Sequence, residues 1–150
     1  MGNLNWLLTQ AHYALASELA VALEPLGLTP RGHAVLGAAQ TGVHTQKQLA
    51  DLVGLDKTTM VATLDELERA GFARRVPSES DRRAHVIRVT PEGRKKVTAA
   101  NKIAKRVDAT VLGALGEEAG DELIATLGRL VRERLAEPAA CRGVRRREPR

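Results

Sequence analysis

Residues 51–90 read DLVGLDKTTMVATLDELERAGFARRVPSESDRRAHVIRVT. Met60, Leu64 and Leu67 recur on one helical face, with Val61 flanking them. Asp56 stands where an N-cap belongs, and Gly71 ends the run. This spacing predicts a helix from Lys57 to Ala70. Upstream, Thr45 and Gln48 form a capping box that opens a shorter helix, QKQLADLV, broken by Gly54. Two short helices around a glycine-containing turn are the helix-turn-helix pattern. Downstream, FARRV and HVIRV alternate with period two on either side of PSESDRRA. Pro, Ser and Asp mark that stretch as a loop, so the segment predicts a β-hairpin with a long tip, a wing.

The outer face of the second helix is expected to hold Lys57, Thr58, Ala62, Thr63 and Glu66. A helix fits the major groove of DNA, where each base pair shows a distinct set of donors, acceptors and methyl groups. Short Thr58 and Thr59 let the backbone approach closely, Lys57 adds charge, and Thr63 lies one turn on. These four are the expected recognition-helix residues. Thr45 and Gln46 open the preceding helix, where free N–H groups and the helix dipole favour phosphate. Arg74 and Arg75, on the strand leaving the helix, are placed near the DNA backbone.

At the wing, Asp81, Arg82 and Arg83 combine an acid with two arginines. An arginine at a hairpin tip can enter a narrow minor groove. Asp81 can hold Arg83 in place through a charge-assisted hydrogen bond. The plainer reading is a solvated threonine face and an exposed ion pair of little energetic consequence. The alternative function is a winged helix that contacts protein rather than DNA. A basic wing beside a short-residue helix face favours DNA.

The flanks are helical. Leu4, Leu8, Ala11, Leu15, Leu19, Ala22 and Leu26 fall at steps of three and four, and Pro25 and Gly27 end the pattern. Thr29-Pro30 starts a second helix reaching about residue 39, with Ala34, Val35 and Ala38 expected inside. Thr90-Pro91 starts another, running to about 115 and interrupted at GEEAGDE. The last is expected over 121–136, with Leu123, Ile124, Leu127, Leu130, Val131 and Leu135 as a broad stripe. The expected fold is mostly α with a small β-hairpin wing. A single domain, 1–136, holds a winged helix-turn-helix (29–90) between dimerisation helices (3–26 and 91–136). Residues 137–150 lack periodicity and are read as a flexible basic tail. The flanking stripes exceed what a small winged helix can cover, which points to a second copy of the chain.

The 150 residues carry a net charge of +5, with 43% hydrophobic and 27% charged residues, ordinary values for a globular domain. The tail holds five arginines and two glutamates, a net +3, leaving +2 for the first 136 residues. Overall basicity is therefore weak evidence for nucleic acid, and the local pattern has to make the case. Trp6, Tyr13 and Phe72 are the only aromatic residues, so Leu, Val and Ala must fill the core. A single cysteine, Cys141, no secretory leader and no membrane-length apolar run indicate a cytoplasmic protein. His12, His33, His44 and His85 are scattered, so no metal site is expected, nor any cofactor. No glycine-rich phosphate loop, GxSxG, HExxH or paired CxxC motif is present, and no enzymatic role is expected.

LGLTPRGHAVL and TQKQLADLVGLDKTTMVATLDELERAGFARRVPSESDRRAHVIRVTPEGRKKV resemble the MarR family of bacterial transcription regulators. With the flanking helices, the resemblance covers about residues 4–136. It implies a homodimeric winged helix, an inverted-repeat operator, usually repression, and often a small-molecule or oxidant signal. It places Lys57, Thr58, Thr59 and Thr63 on the recognition helix and Asp81, Arg82 and Arg83 on the wing. Family ligand pockets lie between the dimerisation helices and the winged helix, often near aromatics. Trp6, His12, Tyr13 and His33 are the candidates here for a small-molecule effector. Oxidant-sensing members use an N-terminal cysteine, which this chain lacks.

Overall fold

The computed structural model describes residues 2–79 and 84–135. Eight elements follow in order: α1 (Leu4–Leu23), α2 (Pro30–Ala39), α3 (Gln46–Val53), α4 (Lys57–Arg69), β1 (Ala73–Pro77), β2 (His85–Val89), α5 (Pro91–Gly113) and α6 (Glu117–Glu133). The chain divides into two compact units, at Ala109 and Thr110. No helix among the described residues is long and apolar enough to cross a membrane.

In the first unit, Asn3 caps α1 by accepting the Trp6 amide at 2.9 Å. The α-helix stops three residues earlier than its apolar spacing suggests. Pro25 turns Glu24–Leu26 into a 3-10 turn, and Gly27 closes it at φ 67°. Thr29 caps α2, accepting the Gly32 amide at 3.0 Å, and Pro30 occupies the first turn. The buried face of α2 is Gly32, Val35, Leu36 and Ala39. Ala34, expected inside, is exposed, and Ala38 is half-buried. Leu36 draws the helix round because it brings more apolar area than either alanine.

One core joins Leu23, Leu28, Val35, Leu36, Leu49, Met60, Leu64, Leu67, Phe72, Ile87 and Val97. It spans the helix-turn-helix, the hairpin and the first half of α5. α5 enters it through a close backbone approach. A Cβ on Gly93 would lie 2.0 Å from the Phe72 carbonyl oxygen, so only glycine fits. Thr90 completes this joint: its hydroxyl donates to the Gly71 carbonyl at 2.7 Å and accepts the Gly93 amide at 3.0 Å.

β1 and β2 pair antiparallel, with Ala73 opposite Val89, Arg74 opposite Arg88, Arg75 opposite Ile87 and Pro77 opposite His85. In the second unit, α6 begins at Glu117, four residues before its expected start. Gly116 at φ 84° precedes it, and Glu117 and Glu118 sit in the first turn, where negative charge suits the helix dipole. Leu123, Ile124, Val131 and Leu135 of this region are exposed, as are Leu4, Trp6 and Leu7 of α1.

Candidate nucleic-acid interface

The two central helices are set by their caps. Thr45 and Gln48 form the expected reciprocal box: the Thr45 hydroxyl accepts the Gln48 amide at 3.2 Å, and the Gln48 side chain accepts the Thr45 amide at 2.8 Å. α3 ends at Gly54, left-handed at φ 69°, which turns the chain into α4. Asp56 then caps α4 through both carboxylate oxygens, one on the Thr59 hydroxyl and one on its amide. The Thr59 hydroxyl bond first, and the amide bond second, hold the Asp56 carboxyl below its usual range.

Of the four expected recognition residues, Lys57 and Thr58 are exposed on the first turn of α4, and Ala62 is exposed one turn on. Thr59 is half-buried, with its hydroxyl committed to Asp56. Thr63 is a correction. It is only 3% exposed, and its hydroxyl donates to the Thr59 carbonyl at 2.8 Å. Its position borders the buried stripe formed by Met60, Leu64 and Leu67, and a methyl-bearing side chain that satisfies its own hydroxyl can pack there. The outer face therefore continues through Asp65, Glu66 and Arg69.

α3 is tied to the hairpin as well as to α4. Thr45 forms an isolated antiparallel bridge with Val86, and the Ile87 amide donates to the His44 carbonyl at 3.1 Å. The start of α3, the start of α4 and the base of the wing thus lie around one cleft of about 810 Å3. Thr45, Gln46, Lys47, Lys57 and His85 line it, over a floor that includes Ala50 and Met60. Lys47, exposed on the first turn of α3, was missed in the sequence. Its place one residue after Gln46 on a helix N-terminus is the signal that marks it.

Arg74 and Arg75 diverge. Arg74 is exposed, facing Arg88 across the ladder. Arg75, expected at a phosphate, is instead turned inward, with its side chain 21% exposed. It forms ion pairs with Asp65 at 2.7 Å and with Glu68. It also donates to the Val61 carbonyl at 3.3 Å and to Gln46 Oε1 at 3.4 Å. Period-two alternation explains the split: successive strand residues face opposite sides, and the Arg75 side faces α4. Arg88 was not singled out in the sequence, because only the strand register puts it beside Arg74.

Asp81, Arg82 and Arg83, and the tail 137–150 with Cys141, lie outside the described residues. Trp6, His12 and Tyr13 are exposed along α1. His33 is half-buried on α2, with Nε2 2.7 Å from Asn101 Oδ1 of α5. The fold of the first unit does not gather these four residues round a common cavity among those described.

Two capped helices meeting at a glycine turn, bridged to a two-stranded hairpin, define a winged helix-turn-helix protein. Residues 30–85 match the MarR family model. That match makes the winged helix-turn-helix of residues 30–85 similar to the MarR family of transcription regulators. It is similar to the transcriptional repressor CouR solved on a 23-mer DNA duplex, at 29% identity and TM-score 0.77 over 86% of this chain and 92% of that one. CouR has also been solved bound to p-coumaroyl-CoA, where the match is 27% identical with TM-score 0.75, over 87% of this chain and 93% of that one. The Mycobacterium tuberculosis regulator MosR, solved in complex with DNA, matches at 25% identity and TM-score 0.69, over 87% of this chain and 97% of that one.

Proposed function

We propose that this chain is a homodimeric transcription regulator that binds an inverted repeat in duplex DNA and represses, with release by a small-molecule ligand. The observation that supports it best is the joining of α3, α4 and the wing in one packed unit. That unit leaves Lys57, Thr58 and Ala62 on the outer face of α4 and Lys47 on the first turn of α3. Lys57 and Thr58 suit base edges in the major groove, while Thr45, Gln46 and Lys47 suit phosphate. Asp81, Arg82 and Arg83 are proposed at the minor groove, and Arg74 at the backbone. The relatives solved on DNA support this reading, and the CoA thioester complex of CouR supports a ligand-controlled one.

Exposed Leu4, Trp6 and Leu7 on α1, and Ile124 and Val131 on α6, support the dimer. Trp6, His12, Tyr13 and His33 remain the proposed ligand contacts. We assign the chain no catalytic activity, on its similarity to a family of regulators, and place it in the cytoplasm, on the nucleoid when bound. Selection of bound fragments from random DNA, followed by footprinting, tests the proposal. A near-palindromic site, with half-sites about 10 base pairs apart, is expected. An asymmetric site protected by one protomer, or binding that ignores salt, would overturn it.

A further inference from the structure

Arg75 joins three elements with one planar group. Its guanidinium reaches Glu68, Asp65 and the Val61 carbonyl on α4, and Gln46 Oε1 at the first residue of α3. Its own backbone amide, on β1, donates to Glu68 Oε1 at 2.6 Å. One cation between two carboxylates leaves a local charge of −1, so a phosphate arriving here would be repelled. Arg75 is thus unsuited to touching DNA.

We propose that Arg75 is a positioning residue of the DNA-binding surface: it locks α3, α4 and the wing at fixed angles and holds the Gln46 amide with its nitrogen free for a phosphate. The proposal rests on the DNA-binding reading above. Arginine has only donors, so the Gln46 oxygen must be the atom that faces it. The Gln46 NH2 group is then left as donor, at the helix end where free backbone N–H groups also favour an anion. The fold does not depend on Arg75 alone. The Thr45–Val86 bridge and the core under Met60, Leu64 and Ile87 keep the hairpin attached without it. What Arg75 adds is a fixed angle between three DNA-facing parts.

The test uses the full chain and the duplex recovered by selection, with Kd measured by fluorescence anisotropy over a salt series and folding followed by circular dichroism. Arg75→Met is expected to weaken operator binding on the order of tenfold. The slope of log affinity against log salt should stay unchanged, because Arg75 itself neutralises no phosphate. Affinity for an unrelated duplex should fall less than affinity for the operator. Arg75→Lys should fare as badly, since an ammonium cannot reproduce the fork. Gln46→Met should weaken operator binding in the parent with little change in the salt slope, because a neutral amide displaces no counterion, and have a smaller effect once Arg75 is replaced.

A slope lowered by about one in Arg75→Met would show a direct phosphate contact and overturn the proposal. Unchanged operator affinity in the folded variant would reduce Arg75 to packing, and also overturn it. If Arg75→Met does not fold, Asp65→Asn tests the same point. It removes a negative charge, which bulk electrostatics predicts to help DNA binding, whereas the loss of one arm of the clamp predicts weaker binding. A parent protein that selects no duplex at all would remove the DNA-binding reading itself, a result distinct from any of these.

Discussion

Asp56 and Thr59 are joined by two hydrogen bonds: one Asp56 carboxylate oxygen accepts the Thr59 amide at 2.9 Å and the other its hydroxyl at 2.6 Å. The cap fixes where α4 begins and takes the Thr59 hydroxyl out of the groove-facing set. Asp56→Ala should lower the melting temperature, while Asp56→Asn should retain most of it, because asparagine caps nearly as well. The folded carboxyl titrates below the ordinary value of 3.8. Its contribution is therefore present above that pH and is lost as pH falls through the lower folded value. Thermal unfolding at pH 7 and at acid pH should show the gap between parent and Asp56→Ala closing in acid. A constant gap would mean that the charge plays no part.

Thr58 and Thr63 should separate cleanly on DNA. Thr63 is buried with its hydroxyl satisfied inside α4, so Thr63→Val should leave the preferred sequence and operator affinity unchanged. Its stability should move by only about 1 kcal/mol. Thr58→Ala, at an exposed position, should weaken operator binding by about 1 kcal/mol or more without loss of melting temperature. Anisotropy and urea unfolding on both variants check the pair, and the reverse ranking would restore Thr63 to the interface.

Gly93→Ala should be severe. The added methyl would stand 2.0 Å from the Phe72 carbonyl oxygen, a backbone atom that cannot swing away. Displacing α5 from the hairpin should cost about 3 kcal/mol. Urea unfolding would show it, and a variant as stable as the parent would mean that α5 is more loosely seated than this contact implies.

The apolar faces should be dimer contacts. Leu4 is 58% and Ile124 55% exposed in the protomer. Covering such a side chain contributes roughly 1.5–3 kcal/mol, so several left wet are costly. The parent should be a dimer by light scattering at micromolar concentration, and Ile124→Glu should shift it toward monomer while remaining helical. A parent that is a well-folded monomer would remove the dimer from the proposal.

Asp81 and Arg83, which the sequence reading assigns to the wing, should be coupled if Asp81 orients the arginine. Arg83→Ala should cost roughly 1–3 kcal/mol of operator binding. Asp81→Ala should also weaken binding, although it removes a negative charge near DNA. A double-mutant cycle should be non-additive, since Asp81 has nothing to orient once Arg83 is gone. Equal or tighter binding by Asp81→Ala would leave the wing arginines as a diffuse basic patch.

Much of this protein was legible locally. Thr45 with Gln48, Asp56, Gly54 and Thr29-Pro30 each act within three or four residues, so they announce helix ends wherever they occur. The two period-two runs likewise announced the hairpin, and the spacing of Met60, Leu64 and Leu67 announced the buried side of α4. What the sequence could not supply was the partner of each side chain across the fold. Thr63 looked free because helical spacing puts it at the edge of the apolar stripe, and only packing decides on which side an edge residue falls. Ala34 failed for the same reason, being outranked by Leu36. Arg74 and Arg75 are identical residues side by side. Strand alternation sends them to opposite faces, but only the tertiary structure shows that one face meets Asp65, Glu68 and Gln46 while the other meets Arg88. Caps and periodicities are set by bonds within a turn or two, whereas the role of a charged side chain is set by which distant carboxylate or carbonyl the fold brings within reach.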